Sequence, residues 1–187
     1  MAMKHLATRS TTLATNLRKS QRLSIPDIES RPLTVCTSSY STPYLFNFAG
    51  RQDLSVKYSR YAARNYFGTG ADGLPGNADA GAMQTWALWN MIGLYPVTGQ
   101  TTFLIGSPWF ERLELDLGGG KKLLITSNGG DDEDSIYVQS LKVNGRSWDK
   151  AWVAWEDVFA NGGSLDFVLG REAVRWANGT LPPSPAS

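Results

Sequence analysis

Apolar residues recur every three or four positions after Asp53, which is the spacing of one face of an α-helix. Asp53 is a residue type that caps helix starts, and Gly68 and Gly70 follow the last apolar residue of the series. We therefore predict a helix that begins near Asp53 and ends before Gly68. Its expected buried stripe comprises Leu54, Tyr58, Tyr61, Ala62 and Phe67.

A second helix is predicted from Asp79 or Ala80 to Leu94. Its residues leave almost no polar face, which is typical of a helix that is buried on most sides. Pro96 is expected to end it, since proline lacks the N–H group that continues a helix. Two consecutive helices, the second of them buried, favour a helical barrel or bundle.

Beyond Pro96 apolar and polar residues alternate, which is the period of a β-strand. Five or six short strands are predicted, and glycine-rich turns such as 118–120 and Asn144-Gly145 separate them. Short strands at this close spacing are typical of an antiparallel sandwich or jelly roll. The sequence thus predicts an α+β fold in which two or three helices precede a β-sandwich or jelly-roll-like region.

Composition divides the chain into four segments. Residues 1–40 are rich in Ser, Thr and Arg and are predicted to form a disordered or targeting-like basic tail. Residues 41–97 hold the predicted helices, residues 98–176 form the β-rich region, and residues 177–187, with three prolines, are predicted to be disordered. The first segment is similar to a mitochondrial transit peptide and lacks the apolar core of a secretory signal, and an artefact of gene prediction would look the same.

Charge and rare residues exclude several classes of function. Five basic residues and no acid precede Asp27, whereas the rest of the chain carries 13 basic and 17 acidic residues, so no nucleic-acid surface is expected. No apolar run approaches the roughly 18 to 20 residues that span a bilayer. Cys36 is the only cysteine and His5 the only histidine, which excludes an intrachain disulfide and the Ser-His-Asp and Cys-His catalytic sets. Any chemistry must come from carboxylates, amides, hydroxyls or the backbone.

The strongest candidate for such chemistry is the glycine- and proline-rich turn 72–77, which leads into the predicted second helix. Asn77 and Asp79 stand at the start of that helix. The partial positive charge of a helix N-terminus keeps a carboxylate ionised, which suits a general base or a metal ligand and not a general acid. Asp is also a preferred N-cap residue, so Asp79 is equally interpreted as a cap.

Six motifs occur in an order and spacing that resembles the end of the catalytic domain of glycoside hydrolase family 92. They are YLFNFAG, DGLPGN-x-D-x-G-x-M, GLYPV, IGSPWFE, YVQS-x-K-x-NG and GGSLDFVLG. The resemblance covers roughly residues 40–176, and the central motif is similar to that of fungal members.

This resemblance implies a calcium-dependent exo-α-mannosidase that acts on mannose-containing glycans and inverts the anomeric configuration. It also implies that the helices belong to an (α/α)6 barrel. Inversion uses two carboxyl groups about 6.5 to 9.5 Å apart, a general acid and a general base. In the family's pattern Asp79 aligns with the general base and Asn77 with a residue that orients water, while Ala78 replaces an acid. No metal ligand can be assigned.

Two parts of the family's pattern have no counterpart in the sequence. The general acid belongs to an earlier barrel segment, and the segment associated with calcium and substrate is replaced by residues 36–42. The resemblance therefore implies the C-terminal part of an α-mannosidase that is inactive alone. The alternative is a non-catalytic product, namely a carbohydrate-binding module, a pseudoenzyme or a truncated gene product.

Overall fold

The longer helices precede the strands along the chain, in the order that the change of sequence period predicts. The computed structural model describes residues 40–75, 78–130 and 134–184. The helical elements are a 3-10 helix Thr42–Tyr44, α1 Leu45–Phe48, α2 Gln52–Tyr66, a 3-10 turn Asp79–Gly81, α3 Ala82–Ile92 and α4 Trp155–Val158. The strands are β1 Leu94–Pro96, β2 Thr102–Ile105, β3 Arg112–Gly118, β4 Lys121–Asn128, β5 Tyr137–Val143, β6 Arg146–Trp148, β7 Trp152–Ala154 and β8 Gly163–Gly170. These elements confirm the predicted α+β class.

The strands form two sheets. A three-stranded antiparallel sheet has the order β1-β2-β7, and a five-stranded sheet has the order β3-β4-β8-β5-β6. Strand β8 pairs antiparallel with β5 but parallel with β4, so the larger sheet is mixed, whereas the sequence predicts antiparallel pairing. The difference arises because β8, the last strand of the chain, lies between β4 and β5, and turn residues encode only pairings between neighbours in sequence.

Apolar side chains of both sheets meet in one buried cluster, so the sheets pack face to face. The smaller sheet and the end of α3 contribute Ile92, Leu94, Phe103, Ile105 and Val153, and the larger sheet contributes Leu123, Ile125, Val138, Leu141, Val143, Leu165, Phe167 and Leu169. The alternation predicted for the strands is visible in β4, where every second residue from Leu123 to Ser127 is buried. The sandwich is therefore held together by the faces that the sequence period predicts.

Helix α2 buries a different face from the predicted one. The predicted stripe is only half-buried, and the fully buried residues are Gln52, Asp53, Ser55, Val56, Ser59, Arg60 and Ala63. Most of these side chains are polar, so the apolar spacing does not mark the inner face of this helix. The physical reason is that the surface opposite α2 presents main-chain carbonyl groups, which require hydrogen-bond donors.

Three polar side chains join the helices to the end of β2 and the loop that follows it. Asn47 Nδ2 donates to the carbonyl oxygens of Ile105 and Ala151, both at 2.9 Å. Gln52 Nε2 donates to the carbonyl oxygen of Gly106 at 2.9 Å. Arg60 Nε donates to Ser107 Oγ at 3.1 Å, and its Nη2 donates to the carbonyl oxygens of Ser107 and Pro108. We call this set of contacts, made by Asn47, Gln52 and Arg60, the polar junction.

Helix α2 also begins differently from the prediction. Its first residue is Gln52, and Arg51 occupies the N-cap position without a side-chain cap. Asp53 lies in the first turn, where its carboxylate accepts hydrogen bonds from Arg51 Nε at 2.9 Å and Nη2 at 2.7 Å. The carboxylate is therefore held by a bidentate ion pair instead of capping the helix.

Helix α3 is shorter than predicted and less buried. It begins at Ala82 after Gly81 and ends before Gly93, and both glycines adopt left-handed φ angles of 77° and 86°. A Cβ atom at Gly93 would lie 2.5 Å from Pro108 N, so this close approach requires glycine and ends the helix before Pro96. Leu88 is 57 % exposed, so the expectation of burial on most sides is wrong for the described residues. None of the described helices is long and apolar enough to cross a bilayer.

The chain after β8 lies against the rest of the molecule as far as residue 184, which differs from the predicted disordered tail. Trp176 Nε1 donates to Gln52 Oε1 at 2.9 Å, Gly179 N donates to the carbonyl oxygen of Asp149 at 2.8 Å, and Trp152 Nε1 donates to the carbonyl oxygen of Thr180 at 2.9 Å. Residues 185–187 lie outside the described residues, and so does the predicted basic tail except for Tyr40.

The polar junction predicts a large effect of Asn47 on stability. Asn47 is fully buried, and Asn47→Ala removes its hydrogen bonds to the carbonyl groups of Ile105 and Ala151, each of which keeps one other donor. A hydrogen bond contributes about 0.5–1.5 kcal/mol to stability, so we expect the loss of two to lower the free energy of unfolding by roughly 1–3 kcal/mol in urea denaturation. The matched control is Asn65→Ala, which removes an exposed amide that donates to Tyr61. Equal losses in both variants would contradict the assignment.

The Arg51–Asp53 pair predicts a pH dependence of stability. Burial alone would raise the pKa of Asp53, but the hydrogen bonds and charge of Arg51 outweigh it and hold the pKa below its usual value. Because the folded-state pKa is the lower one, the stabilisation is present at neutral pH and is lost as the pH falls below the unfolded-state value of roughly 3.9. We expect Asp53→Asn to flatten the fall of the melting temperature between about pH 5 and pH 2. Asp72→Asn, in an exposed turn, is the control. If the melting temperature of Asp53→Asn falls with pH as steeply as that of the unmodified protein, the prediction is refuted.

Candidate active site

The predicted site residue Asp79 opens a tight turn immediately before α3. Ala80 has a left-handed φ of 51° and Gly81 follows with a φ of 77°, and Gly81 N donates to the carbonyl oxygen of Ala78 at 3.1 Å. A left-handed conformation is disfavoured for alanine, so the turn, and not local preference, sets the backbone at this point. Gly81 is the N-cap of α3, which places Asp79 two residues before the cap.

The carboxylate of Asp79 is exposed. It makes no capping hydrogen bond to α3, and no other residue within 40–75, 78–130 and 134–184 bonds to it. The interpretation of Asp79 as an N-cap is therefore wrong. Asn77, the second predicted site residue, lies outside the described residues.

The helix behind the turn is anchored by an aromatic cluster. The Trp86 ring stacks on Phe67 with ring centroids 5.3 Å apart and meets Tyr44 edge-on at 6.5 Å. Its Nε1 donates to the carbonyl oxygen of Tyr40 at 3.0 Å. Met83, one turn before Trp86, is fully buried in the same cluster. These contacts hold the first half of α3 in place, directly after the turn that carries Asp79.

A chain of buried hydrogen bonds then connects α3 to the loop after β2. Trp109 Nε1 donates to Asn90 Oδ1, and Asn90 Nδ2 donates to the Tyr44 hydroxyl oxygen, both at 2.9 Å. Burial raises the pKa of Tyr44 well above its ordinary value, so the phenol stays neutral. The sequence analysis did not predict these hydrogen bonds. The signal for them is an asparagine inside an otherwise apolar helix, because a buried amide needs partners.

A cavity lies elsewhere, between α2, the loop from β2 to β3 and the connection from β4 to β5. Its volume is about 620 Å³, and the residues that line it include Arg60, Arg64, Trp109 and Glu111. Asp79 is not one of the lining residues. The structure therefore does not bring the predicted base together with this cavity.

The calcium implied by the family resemblance finds no set of side-chain ligands in the part of the chain that the structure describes. No group of three or more His, Cys, Asp or Glu side chains there is arranged to hold a metal ion, whereas Ca²⁺ takes six to eight oxygen ligands. The described residues alone do not fit a calcium site, and no chemical step is derived through one.

Solved structures that are similar to this chain include glycosidases of family GH92. The α-mannosidase of family GH92 from Bacteroides thetaiotaomicron, solved in complex with mannoimidazole, is 29 % identical and superposes with a TM-score of 0.72 over 78 % of this chain and 20 % of its own. A GH92 family glycosyl hydrolase, ccman5, is 28 % identical with a TM-score of 0.67 over 77 % of this chain and 23 % of its own.

A curated sequence gives the same result. An uncharacterised secreted glycosidase of the fungus Arthroderma benhamiae is 33 % identical over 150 residues, which are 78 % of this chain and 19 % of that protein. The chain thus spans about a fifth of the length of these relatives. Residues 37–171 match the sequence profile of the glycosyl hydrolase family 92 catalytic domain, and the chain belongs to that family.

Proposed function

We propose that this chain supplies the general-base side of an α-mannosidase active site that hydrolyses terminal α-linked mannose with inversion. Asp79 is the base and Asn77 orients the attacking water. Family membership supports the reaction class, and one solved relative is an α-mannosidase that holds mannoimidazole. The observation that carries the assignment is an exposed carboxylate that no described residue engages, at the position where the family's base aligns.

The proposed step places a water molecule between Asp79 and the anomeric carbon. As the water oxygen forms its bond to that carbon, Asp79 takes the proton, and the bond between the anomeric carbon and the leaving oxygen breaks. A general acid on the opposite side of the sugar protonates the leaving oxygen. By the family's pattern this acid comes from a segment outside this chain, so the chain holds one of the two carboxyl groups.

The local structure suits a base that must hold its position. A catalytic group acts only when it stays within hydrogen-bond reach of the proton that it takes. The left-handed turn at Ala80 and Gly81 sets the backbone position from which the Asp79 side chain extends. The buried side chains of Met83 and Trp86 hold the helix that follows the turn. The side chain itself points to solvent, where a substrate and a water can reach it.

Calcium enters this proposal only through the family. When bound, such an ion would hold sugar hydroxyl groups through its oxygen ligands. No group of three or more His, Cys, Asp or Glu among the described residues is arranged to hold the ion, so this proposal assigns it no ligands. The roles proposed for Asp79 and Asn77 do not depend on it.

A second candidate function is carbohydrate binding without catalysis, and one side chain favours it. Trp155, the first residue of α4, is 45 % exposed although its ring stacks on Phe159 with centroids 5.1 Å apart and planes 14° apart. An aromatic ring that is supported on one face and open on the other is a surface on which a sugar ring can pack. Mannose binding that Trp155→Ala abolishes and Asp79→Asn leaves unchanged would favour this function.

The catalytic proposal is tested in a chimera. In it, residues 40–176 replace the corresponding fifth of the Bacteroides α-mannosidase, which supplies the remaining parts of the site. We expect the chimera to release mannose, and Asp79→Asn to lower kcat by about 10²–10⁴-fold, the usual contribution of a general base. Asp149→Asn removes an exposed carboxylate between β6 and β7 and should leave kcat within about twofold.

Two further readouts separate a lost base from a damaged fold. Azide is a nucleophile that needs no base, so it is expected to restore turnover in Asp79→Asn and to give the β-mannosyl azide, which NMR identifies. An unchanged melting temperature shows that the variant is folded. A folded chimera that keeps its kcat in Asp79→Asn, or that shows no turnover with Asp79 intact, contradicts the proposal.

A further inference from the structure

We propose that the cavity between α2 and the loop from β2 to β3 is an oxyanion-binding site, which takes a carboxylate or phosphate group between Arg60 and Arg64. Both arginines line the cavity of about 620 Å³, together with Trp109. Asp79 does not line it, so this site is separate from the proposed catalytic residue and its test is independent.

The guanidinium groups of Arg60 and Arg64 lie close together over one aromatic ring. Arg60 and Arg64 are four residues apart on α2, so they lie on the same face of the helix. Both stand over the Trp109 ring, with Cζ atoms 4.5 Å and 5.9 Å from its centroid. Two like charges at this spacing repel each other, and an anion between them would remove that repulsion.

Arg60 is buried without a counter-ion among the described residues. The residue is only 6 % exposed, and across residues 40–75, 78–130 and 134–184 its partners are the Ser107 hydroxyl and the carbonyl groups of Ser107 and Pro108. No carboxylate among those residues pairs with it. Buried charges are normally paired, and burial together with the charge of Arg64 lowers the pKa of Arg60 to about 9.

Both arginines have N–H groups available at the cavity. The hydrogen bonds of Arg60 to the loop use Nε and Nη2, which leaves Nη1 without a partner among the described residues. Arg64 is exposed at the cavity edge. Guanidinium groups bind carboxylate and phosphate oxygens through paired N–H donors, so the two arginines together provide the recognition that a small oxyanion requires.

The other lining residues are compatible with an anion. Among the described lining residues Glu111 is the carboxylate, and it is exposed. The Trp109 ring is held in place by its hydrogen bond to Asn90 and contributes an apolar surface to the cavity.

The test is a titration of the 187-residue chain with inorganic phosphate and, in a second arm, with acetate, at constant ionic strength. Isothermal titration calorimetry gives the affinity, and the indole N–H signal of Trp109 in an NMR spectrum reports the place of binding. We expect saturable binding that moves this signal, and Arg64→Gln should weaken it at least about tenfold, the loss of one charge-assisted contact.

Controls distinguish a site from general charge attraction. Arg146→Gln removes an exposed arginine on β6 and is expected to leave the affinity unchanged, and Arg60→Lys keeps the buried charge if removal of Arg60 prevents folding. Saturation by phosphate alone, or by both anions, supports the site and identifies the preferred oxyanion. No saturation by either anion, or an equal loss of affinity in Arg64→Gln and Arg146→Gln, would overturn it.

Discussion

The hydrogen bonds from Asn47, Gln52 and Arg60 to the end of β2 and its following loop define how the helices sit on the sheets. Helix–sheet contacts usually depend on apolar faces, but here main-chain carbonyl groups at the end of β2 and in the loop after it accept hydrogen bonds from the helices. Such groups must be satisfied when they are buried. The polar junction satisfies them with side-chain amides and a guanidinium group. Because hydrogen bonds are directional, it fixes the orientation of the helices on the sheets as well as their distance from them.

The rest of the helical part follows from this constraint. Because the loop after β2 is held against α2, Pro108 comes within reach of Gly93, and the close approach there ends α3. Trp109 continues from the same loop and bonds to Asn90 on α3. The turn that carries Asp79 is thus connected to the β-sandwich through α3, although Asp79 itself is exposed and makes no contact with the sheets.

The sequence predicted what depends on local period and composition. The existence of both longer helices, the α+β class and the alternation in β4 could be predicted because each is encoded within a few neighbouring residues. The buried face of α2 could not, since the acceptors for Asn47 lie 58 and 104 positions away in the chain. For the same reason the parallel pairing of β8 with β4 was missed.

The candidate site was likewise predictable only where its features are encoded locally. The position of Asp79 was predicted by a local motif, but the left-handed conformation of Ala80 contradicts the preference of alanine, and only the surrounding turn explains it. The arginine-lined cavity was not predicted, although Arg60 and Arg64 stand at helical spacing on one face. Their meeting with Trp109 depends on the polar junction, which no short stretch of sequence contains.

Under the proposed function, this chain holds the base of a two-carboxylate site and the acid comes from another segment. The most direct test is to incubate the purified 187-residue chain with α-1,2-linked mannobiose, with and without calcium, and to measure the mannose released. We expect no release above that of a blank in either condition. Measurable release that Asp79→Asn abolishes would show that the chain also holds an acid, and would contradict this expectation.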